Sequence, residues 1–182
     1  MDDAQLLASA RNGSESAFQE LYDRHRAPLF RFAWRLTGSV ATAEDVTQEC
    51  FLALLNGAAF DAAHASLRTY LFGMTRHLVR KRLRLAGRQS DEPADMTAAQ
   101  DPLSHLLAEE RSVLVARAVS ALPPLQKEAL ILFEYEDLSL NDIAAITGAD
   151  VGAMKARLHR ARESLRRRLA PLLGLCAERS CS

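Results

Sequence analysis

Residues 139–168 read SLNDIAAITGADVGAMKARLHRARESLRRR, and their pattern decides the fold. Ser139 stands three residues before Asp142, the spacing at which a hydroxyl and a carboxylate cap a helix reciprocally. Leu140, Ile143, Ala144 and Ile146 then make an apolar stripe of about two turns. Gly148 ends that helix where a left-handed residue fits. Asp150 is placed to cap the next one, its charge favoured at the positive end of the helix dipole. From there Val151, Met154, Leu158, Ala161 and Leu165 share one face, and the other carries Lys155, Arg157, His159, Arg160, Arg162 and Arg166–Arg168. Two helices around a glycine turn also occur in ordinary bundles, but a solvated bundle helix usually interleaves both charge signs. Here residues 151–168 hold seven Lys or Arg against one acid, Glu163. A short helix, a tight turn and a basic amphipathic helix form a helix-turn-helix suited to a DNA major groove.

Working outward, 182 residues accommodate one domain or two small ones, and a composition 48% hydrophobic but only 6% aromatic suits packed helices. No alternation longer than four residues predicts a strand. No run of about 18 apolar residues exists, so membrane insertion is not expected. The acidic start MDDAQLLASARNG is unlike a signal peptide, so the expected location is cytoplasmic. Net charge is zero, 23 basic against 23 acidic, but the charges are segregated. Residues 68–88 hold seven Lys or Arg and no acid, while acids gather in 1–61 and 91–142. Local field, not net charge, decides where a polyanion docks.

Upstream, the spacing predicts helices over 3–12, 15–37, 43–56 and 66–86. Pro28 should bend or break the second. Thr42 and Asp45 have capping-box spacing for the third, which turns Val46, Cys50 and Leu54 inward and Asp45, Gln48 and Glu49 outward. Residues 57–65 form a loop holding Phe60 and His64. The fourth helix has a core stripe of Leu67, Leu71, Met74, Leu78 and Leu85 opposite Arg68, Arg76, His77, Arg80, Lys81, Arg82 and Arg84. Tyr70 and Phe72 lie among these bases, either as stacking surfaces for unpaired bases or as core residues of a bundle. Residues 87–103, polar and with two prolines, read as a flexible linker. Helices over 104–121 and 124–135 precede the helix-turn-helix, and 171–182 is a patternless tail.

Little points to an enzyme. There is no phosphate-binding glycine loop and no zinc-helix motif. A Cys50 nucleophile would need His25 or His64 beside it, and a core thiol is the commoner reading. Asp45 and Glu49, four apart, fit a docking face or simple solvation better than paired catalytic acids. Three cysteines make no disulfide framework. Cys176 and Cys181 in the tail are too sparse a set for a metal site. No cofactor, metal or catalytic residue is expected.

The motifs AEDVTQECFLALL (43–55), SLRTYLFGMTRHLVRKRLR (66–84) and ALPPLQKEALILFEYEDLSLNDIAAITGADVGAMKARLHRARESLRRRL (121–169) together resemble the extracytoplasmic-function (group IV) sigma factors of the sigma-70 family. The first is similar to region 2.2, the second to regions 2.3–2.4 and the third to region 4. The resemblance implies an all-α protein of two small helical domains. Residues 1–86 would be a region 2-like domain, 87–103 a linker and 104–170 a region 4-like helix-turn-helix, before the tail 171–182. It implies a promoter-specificity subunit whose partners are RNA polymerase core (large-subunit clamp and flap), promoter DNA and an anti-sigma factor. On that footing Asp45, Gln48 and Glu49 dock on core. Phe60, His64, Tyr70, Arg76 and Arg80 capture the −10 element. Lys155, His159 and Arg160 meet −35 base edges, Ala156 allows close approach, and Arg157 and Arg162 hold phosphates. Two positions depart from the family pattern: Gly73 stands where a larger residue is common, and His77 replaces a frequent Asn. The alternative is a stand-alone helix-turn-helix regulator, often dimeric, which would leave the Asp45 face and the aromatic-basic helix without a role.

Overall fold

The computed structural model describes residues 1–87 and 106–171, and among them every regular element is helical. The expected linker over 87–103 and tail over 171–182 lie almost wholly outside the described residues. The first helical set is α1 (Asp3–Arg11), α2 (Glu15–Thr37), α3 (Val40–Leu55) and α4 (Leu67–Ala86). The second is α5 (Leu106–Ser120), α6 (Pro124–Leu130), α7 (Leu140–Thr147) and α8 (Val151–Leu169).

Local chemistry accounts for most boundaries. Asp2 accepts from the Gln5 amide while the Gln5 side chain answers at the Asp2 amide, a complete capping box. Ser14, Ser66, Ser139 and Asp150 each cap the helix that follows. Three boundaries differ from expectation. α3 begins at Val40, because Gly38 closes α2 at φ 73° and Ser39 caps immediately, accepting from the Thr42 amide. Thr42 is thus inside the helix. Pro28 does not break α2, which runs 23 residues. An interior proline costs about 3 kcal/mol, and burial of Leu21, Leu29, Phe32 and Ala33 on both sides of it offsets that cost. The helix expected over 124–135 widens at Ile131–Tyr135 into a π-type turn, which presents Glu136 inward.

The core runs through both sets. Leu21, Leu29, Phe32, Leu71 and Phe72 are contiguous with Ile131, Leu132, Ile143, Met154 and Leu158. The two helical domains therefore pack on each other, α4 lying against α7 and the π-type turn against α2. Leu85, expected inward, is half exposed, and Val79 fills the core instead.

Cys50 sits in a smaller cluster with Val46, Leu78 and Val79, its Sγ 3.3 Å from Thr75 Oγ1. Burial pushes its thiol up to about 11. His25 is held instead by Asp3 (2.8 Å), and His64 by Asp61 (2.7 Å), so neither candidate base pairs with Cys50. In a Cys176→Ser/Cys181→Ser chain at neutral pH, iodoacetamide should leave Cys50 unmodified until denaturant is added, as read by mass spectrometry.

Candidate nucleic-acid and polymerase interfaces

Helix α8 divides as its sequence demands. Met154, Leu158 and Ala161 are buried, and Lys155, His159 and Arg160 are exposed. Ala156 and Arg157 lie at the boundary, half-buried. Asp150 accepts from the Ala153 amide at 2.7 Å, fixing the helix start. Among the described residues no ion pair engages Lys155, Arg157 or Arg160. Arg162 differs, donating to Glu134 at 3.1 and 2.6 Å and lying over the Phe133 ring at 5.4 Å. Nothing in the local sequence announces that partner, 28 residues away.

The first set offers two surfaces. On α3, Asp45 and Gln48 are exposed and Glu49 is half-exposed. Arg82 of α4 bridges the two acids, Nη2 to Glu49 at 2.9 Å and Nη1 to Asp45 at 3.2 Å. Those bonds, Glu49's first, hold the Arg82 guanidinium above its ordinary value. Paired catalytic acids would need an open space between them, and an arginine fills it. The sequence does not betray this clamp, since Arg82 reads there as one more base on a solvated face.

The second surface surrounds the loop after α3. Arg11 donates to the Leu54 carbonyl (3.1 and 2.8 Å) and to the Ala58 carbonyl (2.7 Å). α3 has no basic residue in its last turn, so α1 supplies the cation its C-terminus favours. Further along, Asp61 accepts from the Ala63 amide at 2.8 Å and holds the exposed His64. Phe60 meets Tyr70 at 5.5 Å between ring centroids, both half-buried. Tyr70 and Phe72 part ways. Phe72 is fully buried edge-on to Phe32 at 5.3 Å and 73°, a core residue. Gly73 is not required for close approach, since a Cβ there meets nothing within 4 Å. With His77 it lines a shallow groove between α4 and α7.

Arg76 and Arg80 turn toward the second set. Arg76 Nε donates to Glu128 Oε1 at 2.7 Å, with side chains only 14% and 5% exposed, and Arg80 Nε lies 3.9 Å from the same oxygen. Nearby, Thr69 donates to Asp142 at 3.0 Å. Asp142 therefore spends one oxygen on α4 and the other on the Ser139 hydroxyl, so its capping box is only half made. Glu136, 1% exposed, has Arg35 at 3.4 Å and Arg31 at 3.6 Å, and Arg68 donates to its carbonyl.

Burial holds the Glu136 carboxyl above its ordinary 4.5, outweighing the opposing pull of Arg31, Arg35 and Arg68. The folded chain thus binds this proton more tightly than the unfolded chain. The resulting stability is fully present below 4.5 and is lost as pH rises through the raised value. Across that window the melting midpoint of the native chain should fall relative to Glu136→Gln as pH rises, a comparison that cancels the other carboxylates.

No described helix is long and apolar enough to cross a membrane, and no described cluster of His, Cys, Asp or Glu could hold a metal. Residues 21–89 match Sigma-70 region 2, and residues 112–165 match Sigma-70, region 4. The ECF RNA polymerase sigma factor SigC of Mycobacterium tuberculosis is 31% identical over 165 residues, covering 88% of this chain and 87% of that protein. SigE of Mycolicibacterium smegmatis, also an ECF RNA polymerase sigma factor, is 29% identical over 171 residues. That match takes in 90% of this chain but only 65% of the relative. Among solved structures, the sigma factor RpoE in complex with the anti-sigma factor NepR from Bartonella quintana is similar. Its TM-score is 0.69 at 28% identity, over 84% of this chain and 96% of that one. Two sigma-70 regions in order, on a helical scaffold shared with a sigma factor, leave one conclusion: the chain belongs to the extracytoplasmic-function sigma factors of RNA polymerase, initiation subunits and not enzymes.

Proposed function

We propose that this chain binds core polymerase through Asp45, Gln48 and Glu49 and reads a −35 element with α8 and a −10 element with the 57–66 loop and α4. On this reading residues 1–86 are the core-binding and −10 domain, 104–170 the −35 domain, and 87–103 the connection between them. Lys155, His159 and Arg160 meet base edges over Ala156, and Arg157 and Arg162 hold phosphates. Phe60, His64 and Tyr70 receive unpaired bases, and Arg76 and Arg80 hold the strand. Stacking of flipped bases offsets an unpairing cost of a few kcal/mol and so nucleates melting. The protein works in the cytoplasm, where polymerase and chromosome are. Its silencing partner is an anti-sigma factor, as with the similar RpoE, which is solved with NepR.

The observation that carries this reading is the recognition helix, whose buried stripe leaves Lys155, His159 and Arg160 together on an open face. The test is reconstitution with sigma-free core polymerase on a promoter library. Transcripts should start downstream of one shared pair of unlike elements at fixed spacing. Asp45→Arg should abolish transcription by preventing core binding, and Lys155→Glu should lower it by weakening −35 contact. Absence of transcripts from the native chain, with tight binding of the free chain to two-fold symmetric duplexes, would overturn it.

A further inference from the structure

The loop between α3 and α4 is held at its start by a residue that belongs to neither helix. Arg11 closes α1, and its guanidinium reaches across 43 positions to the end of α3. Nε and Nη2 donate to the Leu54 carbonyl at 3.1 and 2.8 Å, and Nη2 also donates to the Ala58 carbonyl at 2.7 Å. Leu54 lies in the last turn of α3, and Ala58 lies in the loop. One nitrogen therefore ties the helix end to the first residues of the loop.

The helix end does not need so much. The Leu52 carbonyl takes the Asn56 amide and the Ala53 carbonyl takes the Ala58 amide, each at 3.0 Å, with Gly57 at φ 88°. The backbone thus turns and caps itself. The Ala58 carbonyl lies past that turn and outside α3, so a bond to it fixes the loop and not the helix. Arg11 is exposed, and ordering a long exposed side chain costs conformational entropy. Three charge-assisted bonds to backbone carbonyls are the return on that cost.

The anchor is itself firmly seated. Leu6 and Leu7 bury α1 in the core. Near its other end Asp3 accepts from Arg24 at 3.0 Å and lies 2.8 Å from His25 Nε2, both on α2.

Elsewhere the loop is held by the Ser66 cap of α4 and by the Phe60 ring against Tyr70. The bonds of Asp61 to the Ala63 amide and to His64 are internal to it. When Phe60 and Tyr70 receive an unpaired base, their contact must open. The Arg11 bonds are made to backbone and survive that opening, so they keep the front of the loop in place beside α4. A flipped base is selected by hydrogen bonds and stacking, and such selection needs its partners held to within about 0.5 Å.

We propose that Arg11 is the positioning residue of the −10 loop. It touches no base. By fixing the Leu54 and Ala58 carbonyls it sets where Phe60 and His64 stand against Tyr70, and so how sharply a −10 base is chosen. This rests on the −10 reading of that loop, and it brings α1 into the −10 machinery.

The test compares two variants of the full chain. Arg11→Met keeps an unbranched side chain and removes every donor. Arg11→Lys has a single Nζ that can stand where Nη2 bonds both carbonyls. Arg11 is exposed, so both variants fold. Each is reconstituted with sigma-free core polymerase on promoter libraries randomised separately in the two elements. In Arg11→Met the preference for the favoured −10 base over the next should fall about fivefold, the worth of roughly one hydrogen bond. Its −35 preference and its affinity for core should match the native chain. Arg11→Lys should recover most of the −10 preference. Hydrogen exchange of the free chains supplies a second readout. Amides of 58–65 should exchange faster in Arg11→Met and near the native rate in Arg11→Lys, while those of 43–52 stay unchanged in both. A residue that only caps α3 would lower the melting point and the yield from all promoters alike, and an intact −10 preference in Arg11→Met would overturn the proposal. Equal loss of −10 and −35 preference refutes it as well. Failure of the −10 reading shows separately, as transcripts from the native chain that share no −10 element.

Discussion

Replacing Phe72 with alanine should cost about 3–5 kcal/mol of stability, the usual range for emptying a buried aromatic site. The side chain is fully buried, edge-on to Phe32, and Leu71 beside it is equally sealed. The edge-to-face pair adds about 0.5–1.5 kcal/mol beyond area burial. Because natural domains hold only about 5–15 kcal/mol in total, the variant should melt far below the native chain and lose core binding and DNA binding together. Tyr70→Ala should behave in the opposite way. Its ring is half-buried and touches Phe60 at the end of the loop, so its removal should cost about 1 kcal/mol of stability. The loss should fall on strand opening instead, by about the 1–3 kcal/mol that one base–aromatic stack contributes. Calorimetry and permanganate reactivity of the −10 region, run on both variants, separate the two. Equal melting points for Phe72→Ala and Tyr70→Ala would contradict this assignment.

These two aromatics also mark how far the sequence could be read. Both stand among arginines, two residues apart, and their local patterns are alike. What separates them is that Phe32 arrives from α2, 40 positions earlier, to seal one of them. Helices whose pattern is local were legible: the cap at Asp150 and the stop at Gly148 follow from short-range chemistry. The start of α3 was misplaced by three residues because Ser39 and Thr42 compete as caps, and Gly38 decides for the nearer one. Of the two outcomes expected at Pro28, a bend or a break, the break does not occur, because the proline's cost is local whereas the burial that offsets it is tertiary.

The candidate site shows the same division. The exposed face of α8 could be read from periodicity alone. The groups that engage the candidates could not, since each comes from a distant element. Arg82 reaches Asp45 and Glu49 from α4, Arg11 reaches the loop from α1, and Glu128 reaches Arg76 from the other domain. An isolated helix shows which side chains are available. Only packing shows which are already spoken for.

Reversing charge on the recognition helix should therefore have its effect on DNA and not on the fold. Lys155, His159 and Arg160 are exposed, and no described ion pair engages Lys155 or Arg160. Lys155→Glu and Arg160→Glu should each leave stability within about 0.5 kcal/mol of native. A well-made base contact is worth about 1–3 kcal/mol, about fivefold to 150-fold in affinity at 1.4 kcal/mol per tenfold. Each substitution should lower transcription from −35-dependent promoters by at least that much, since it adds repulsion from the phosphates. Arg162→Ala should do less. Its guanidinium already holds Glu134 and covers Phe133, so binding DNA exchanges one anion for another and the net gain is smaller. The kind of loss should differ as well. Substituting a base reader relaxes preference at one −35 position, while substituting a phosphate contact weakens all sequences alike and lowers the salt slope by about one. Sequencing the transcripts made by Arg160→Ala and Arg162→Ala from a randomised −35 library distinguishes them. A base preference that survives intact in Arg160→Ala but collapses in Arg162→Ala would mean that α8 lies in the groove rotated, with Arg162 and its neighbours toward the bases.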